Sequence, residues 1–253
     1  MSDIRIERRG AIAIVEICRP PNNFFDVDLL REIADAFDDF DADKAIRCIV
    51  LCAEGKNFCA GANFAPAVGD GSAIDASPIY TEALRLFRVN KPVVAVVQGG
   101  AIGGGLGLAL TADFRVASAE TRFAANFNRL GIHPGFGLSV TLPRVVGVQR
   151  AAMLFYTGQR FTGIEAHMMG LVDVLAEESD LRNAGLKLAG QIALSAPLAV
   201  TSTRRTLRRG LADDVANAIE HELREQDVHF RTADFKEGVR AMGERRVPQF
   251  SGD

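Results

Sequence analysis

Lys91-Pro92-Val93-Val94-Ala95-Val96-Val97-Gln98-Gly99-Gly100-Ala101-Ile102-Gly103-Gly104-Gly105-Leu106-Gly107-Leu108-Ala109-Leu110 decides how this chain is read. A proline opens it, and a run of small and β-branched residues follows, the pattern of a short strand buried on both faces. The glycines then make a turn, and a small-residue helix starts behind them. Without a Cβ in the way, a backbone can approach a ligand closely. Free N–H groups at the helix start, and the positive end of its dipole, favour an anion or an oxygen that becomes one during a reaction. No window in 99–107 reads G-x-G-x-x-G, and the chain has neither G-x-x-x-x-G-K-[ST] nor G-x-S-x-G. Dinucleotide, P-loop and serine-elbow readings therefore lack their motifs. On the glycines alone, a packing turn and an anion-binding turn both stay open.

The chain's 253 residues suffice for one large domain or two small ones, with a sizeable core. A net charge of −3 gives no pull toward nucleic acid or an anionic membrane, so neither is expected as a partner. Residues 1–9 are polar and alternating rather than a signal peptide, and no apolar run reaches membrane-spanning length. Cys18, Cys48, Cys52 and Cys59 lack C-x-x-C spacing, so reduced thiols in a cytoplasmic protein are expected. His133, His167, His221 and His229 are scattered without paired cysteines, and no metal site is expected.

Outward from the central stretch, 4–8 and 11–17 read as a hairpin turned at Gly10. A helix over 27–41 is capped by Asp26, and 45–51 is a buried strand. Residues 52–64 form a loop off a strand's carboxyl end, where ligands bind in open α/β sheets. The Gly-, Ala-, Ser- and Asp-rich residues 66–77 read as irregular and mobile. A helix follows over 79–87. After the glycine turn come short strands at 113–117 and 121–124, then a second turn over 130–137. Thr162 is positioned to cap a helix that Gly170 stops. Helices fill the remainder, over 181–195, 198–209, 213–230 and 233–242.

Two stretches now combine. Phe58-Cys59-Ala60-Gly61-Ala62-Asn63 resembles the F-x-A-G-A-D loop of the crotonase (enoyl-CoA hydratase/isomerase) superfamily, and Ala101-Ile102-Gly103-Gly104-Gly105 resembles its A-L-G-G-G turn, at the usual distance downstream. Thr157-Gly158-Gln159-Arg160-Phe161, Gly170-Leu171-Val172, Glu237-Gly238-Val239 and Glu244-Arg245-Arg246 echo the same family, so the likeness spans nearly the whole chain. It implies an α/β fold: a crotonase-like spiral of β-β-α units with a C-terminal helical trimerisation region. Residues 1–195 would hold the acyl-CoA site and 196–253 would mediate oligomerisation, as a homotrimer or homohexamer. It implies an acyl-CoA thioester as substrate and no cofactor beyond that coenzyme A. The Ala62 and Gly104 N–H groups would polarise the thioester carbonyl and stabilise the enolate. Ala60, Ala62, Asn63, Phe64 and Ala65 would receive the CoA ester, and Arg245 would lie near the CoA phosphates.

The sequence also departs from the family. The hydratase branch handles water with two glutamates; at the matching positions stand Gly107 and Phe127, neither of which transfers a proton. Asn63 replaces the aspartate of the first loop. Several branches place an acid or base in the turn matching 132–136, where His133 is the titratable residue, and histidine changes charge near neutral pH. His133 is therefore the expected acid–base group, against a bland alternative of a turn histidine bonded to backbone. Phe127 and Phe136 are expected to wall an apolar acyl pocket. Tyr80 and Glu82 are read as surface residues that could face it. Arg204, Arg205, Arg208 and Arg209 are read as a solvated or subunit-contacting face. The expected function is enolate chemistry on an acyl-CoA, nominally a lyase or isomerase rather than a two-glutamate hydratase. The alternative is a CoA-thioester-binding protein with little catalysis.

Overall fold

The computed structural model describes residues 2–253. Ile4–Arg9 (β1) and Ile12–Ile17 (β2) form the antiparallel hairpin. Val27–Ala42 (α1) follows, its first turn held by the Asp26 carboxylate accepting from the Leu29 N–H at 2.9 Å. Leu29, Leu30, Ile33, Phe37 and Phe40 form its buried stripe. Cys48–Ala53 (β3) is the expected strand, displaced from 45–51.

Ala65–Asp70 (α2), Ser77–Arg88 (α3), Val93–Val97 (β4), Gly100–Ile102 (β5) and Gly104–Thr111 (α4) carry the chain through the glycine turn. The segment read as irregular thus contains a helical turn and a half, and the glycines contain a strand. Phe114–Ala117 (β6), Arg122–Ala124 (β7), a 3-10 turn over Asn126–Leu130, Leu138–Val146 (α5), Val148–Thr157 (α6), Arg160–Thr162 (β8), Gly163–Met168 (α7) and Val174–Leu175 (β9) follow. Thr162 and Glu165 complete a reciprocal capping box at α7. Leu181–Ala193 (α8), Pro197–Leu207 (α9), Leu211–His229 (α10) and Ala233–Gly243 (α11) end the chain.

The chain alternates between two sheets. One runs β1-β2-β3-β4-β6-β9, parallel after the hairpin; the other runs β5-β7-β8. β4 and β6 enter the large sheet, and β5 and β7, each next in the chain, enter the small one. That alternation is the expected spiral. The large sheet is buried on both faces. Ile49 and Leu51 of β3 point to the main core with α1, while Cys48, Val50 and Cys52 point to Leu181 and Ala189 of α8. This explains why its central strands read as continuous apolar runs.

The C-terminal helices share the main core. Leu211, Val215 and Ile219 of α10 and Phe235 of α11 belong to the same buried cluster as α1, α3 and β4. α10 packs on α3 and α5, and α11 on α2 and the 3-10 turn over Asn126–Leu130; α9 is largely exposed, with Arg204 its single buried residue.

Candidate active site

The register of the small sheet builds the site. Cys59 pairs in parallel with Ala101, bonded through Cys59 N–H to Gly100 O at 3.1 Å and Ile102 N–H to Cys59 O at 3.0 Å. Past that bridge Gly61 lies against Ile102 and Gly104, and its neighbour Ala62 reaches the same cavity as Gly104. Gly61 must be glycine for two reasons. Its φ is +84°, and a Cβ there would lie 2.9 Å from the Ile102 carbonyl oxygen and 3.2 Å from the Gly104 nitrogen. The Ala62 and Gly104 N–H groups donate to no group among the described residues. Gly104 is the first residue of α4, where an N–H lacks an intrahelical partner and faces outward.

Both residues line one narrow cavity of about 40 Å³. Its walls are Phe25, Phe64, Phe127 and Phe136, with Ile74, Ala76, Ile79 and Tyr80 from the 64–80 segment. Ala62, Phe64, Gly104, Phe127 and Phe136 are thus brought together. Tyr80 is its one titratable wall residue, buried rather than on the surface. Its hydroxyl donates to Gln226 Oε1 at 2.8 Å, and burial pushes its pKa up. Glu82 is turned away, paired with Arg31 and Arg85.

Ala60 and Arg245 lie in an adjoining groove of about 1050 Å³, with Lys56, Arg122, Arg129 and Arg160 along it and Ile102 and Asn126 at its floor. A basic lining in a chain of net negative charge is a local field suited to phosphates. Asn63 and Ala65 line neither space: the Asn63 Oδ1 accepts from the Ala65 N–H at 3.2 Å in a local turn that leads into α2.

His133 does not reach the cavity. It lines a separate groove of about 520 Å³ with His229 and Tyr156. Its Nδ1 sits 2.7 Å from the Pro134 carbonyl oxygen, its N–H donates to His229 Nδ1 at 3.3 Å, and its ring meets His221 edge-on at 5.5 Å. The reason is backbone geometry. Phe136 adopts a φ of 64°, which turns its own ring inward and leaves His133 on the turn's other side.

Phe25 was not among the expected site residues. It pairs with Ala62 through its N–H donating to Gly61 O at 3.0 Å, and its ring lies over Gly104. An apolar residue just before the Asp26 cap reads as a helix staple, which hides this second role.

The sequence profile for enoyl-CoA hydratase/isomerase matches residues 7–253. The chain belongs to the enoyl-CoA hydratase/isomerase family. Its curated relatives include a short-chain-enoyl-CoA hydratase of Clostridium acetobutylicum, 32% identical over 97% of this chain and 96% of that protein. A crotonyl-CoA hydratase of Syntrophomonas wolfei is 34% identical over 98% and 97%. Among solved structures, an enoyl-CoA hydratase/isomerase from Pseudoalteromonas atlantica superposes with a TM-score of 0.88 at 29% identity, covering 98% of this chain and all of that one. The enoyl-CoA hydratase/isomerase fold thus extends over the C-terminal helices as well as the sheets.

Among the described residues, no single helix is long and apolar enough to cross a membrane, and no group of three or more His, Cys, Asp or Glu gathers as metal ligands. Burial pushes the thiols of Cys48, Cys52 and Cys59 up to about 12, so none is poised as a nucleophile.

Proposed function

We propose that this family member binds an acyl-CoA thioester with its carbonyl between the Ala62 and Gly104 N–H groups and stabilises the enolate formed from it. The observation that carries this reading is the pair of unpartnered amides side by side at one apolar cavity. Hydrogen bonds to an oxygen that gains charge act strongly where water is excluded, each donor contributing roughly 3 kcal/mol to barrier lowering. Ala60 and the basic groove, Arg245 included, would take the pantetheine and phosphates, leaving the acyl end in the cavity among Phe64, Phe127 and Phe136. Gly107 and Phe127 offer no carboxylate to activate water, which argues against the two-glutamate hydration route. The reaction fitting this lining is a lyase or isomerase step through the enolate, in a cytoplasmic homotrimer or homohexamer without a further cofactor.

One observation favours a second reading, a CoA-thioester-binding protein with little turnover: the cavity's one titratable side chain, Tyr80, has its proton committed to Gln226. A panel of acyl-CoAs incubated with the protein and followed by mass spectrometry separates the two. A changed acyl group supports catalysis, whereas binding without any product supports the second reading. Absence of all CoA-ester affinity contradicts both.

A further inference from the structure

Resting on the reading that the cavity takes an acyl thioester, we propose that Phe136 is its specificity-determining residue. It fills the space that a side chain at position 107 would use, keeps water from that space, and confines the substrate to a short, apolar acyl group.

Gly107 lies three residues after Gly104 on α4, so a side chain there would project along the helix face that bears the amide. That space is taken. A Cβ at Gly107 would lie 2.8 Å from Cβ, Cγ and Cδ1 of Phe136. The ring is fully buried, 5.4 Å from that of Phe25 and 6.4 Å from that of Tyr80. The cavity left beside it, about 40 Å³, admits about three water-sized groups, and its aromatic walls offer a water few partners.

A left-handed phenylalanine persists only where its neighbours fix it. Here the turn is gripped from behind by α10. Glu222 accepts from the Gly137 N–H at 2.8 Å, the Ser139 N–H at 3.1 Å and the Ser139 hydroxyl at 2.6 Å. Gln226 Nε2 donates to the His133 carbonyl at 2.8 Å while its Oε1 accepts from Tyr80. The turn is thus tied on both sides of residue 136, and the ring is pressed into the cavity. Glu222 and Gln226 are positioning residues that act through it.

Non-reactive ketone analogues of acetyl-, butyryl- and octanoyl-CoA, in which CH₂ replaces the thioester sulfur and the carbonyl is kept, titrated calorimetrically, test this. The wild type should bind the octanoyl analogue at least tenfold more weakly than the butyryl one, and F136G, in which glycine accepts the same backbone, should invert that order. A wild type that binds none of the three overturns the acyl-thioester reading itself. A wild type that binds them while F136G keeps the same order overturns the role of Phe136 alone. G107A gives a readout without ligand: it should lower the melting temperature of the wild type, because its methyl group meets the ring. In an F136A background it should raise it, because alanine is the better helix former. A G107A that stabilises the wild type overturns the proposal.

Discussion

At the scale of single residues, the site is made by backbone more than by side chains. Gly61 shows this best: alanine at φ +84° is strained, and its methyl would press on the Ile102 carbonyl beside the Gly104 amide. G61A should therefore misalign one donor and lower turnover roughly a hundredfold, the equivalent of ~3 kcal/mol, with CoA-ester affinity changed far less. Steady-state kinetics on the substrate found by the acyl-CoA panel measures it; an unchanged kcat would contradict the assignment. The close approach of these two segments is legible in the sequence because glycines in two spaced motifs mark where a chain runs close to something. Side chains were harder. Phe127 and Phe136 line the cavity as their sequence position suggests, but His133 lines another groove, because the left-handed Phe136, three positions on, is the side chain that turns inward. No periodicity announces a phenylalanine at φ 64°.

At the scale of elements, α5 begins without a cap of its own. Its N-cap is Gly137, and the acceptor for its first amides comes from α10 through the buried Glu222. E222Q keeps the shape but sets an NH₂ group against one of those donors, and should cost about 1–3 kcal/mol; urea denaturation checks this, and a loss near zero would contradict it. Glu237 of α11 makes a pH prediction. Arg246 and the Gln249 N–H hold its carboxyl down at about 2, below its ordinary 4.5. The folded state thus releases the proton more readily than the unfolded one. The resulting stabilisation is present above pH 4.5 and lost as pH falls toward 2. Thermal melts of E237Q should show a shallower acid limb than the wild type over that window; identical limbs would refute the linkage. Long amphipathic elements such as α1 were legible through spacing and the Asp26 cap. α2, β5 and β8 were not, since elements of three to six residues carry too few positions for a period to show, and β5 lies among glycines.

At the scale of the molecule, the end of α10 and the start of α11 back the cavity's own wall, where Phe64 meets Phe230 and Phe235 at 5.7 and 5.8 Å. Gly238 and Ala241 of α11 line the adjoining groove beside Ala60 and Ile102, a long-range fact that local patterns do not encode. Leu194, Leu198 and Leu207 remain exposed around α9. Their covering by neighbouring chains is the expectation for a homotrimer or homohexamer. Sedimentation should give three or six chains, and an L198E/L207E double variant should dissociate; a monomeric wild type would remove α9 from any interface.

The most direct test is the infrared spectrum of a bound acyl-CoA carrying ¹³C at its thioester carbonyl. Two amides aimed at one oxygen should move the carbonyl stretch to lower frequency than in water, and G61A should return it part of the way. A bound ester whose carbonyl absorbs where the free ester does would contradict the account.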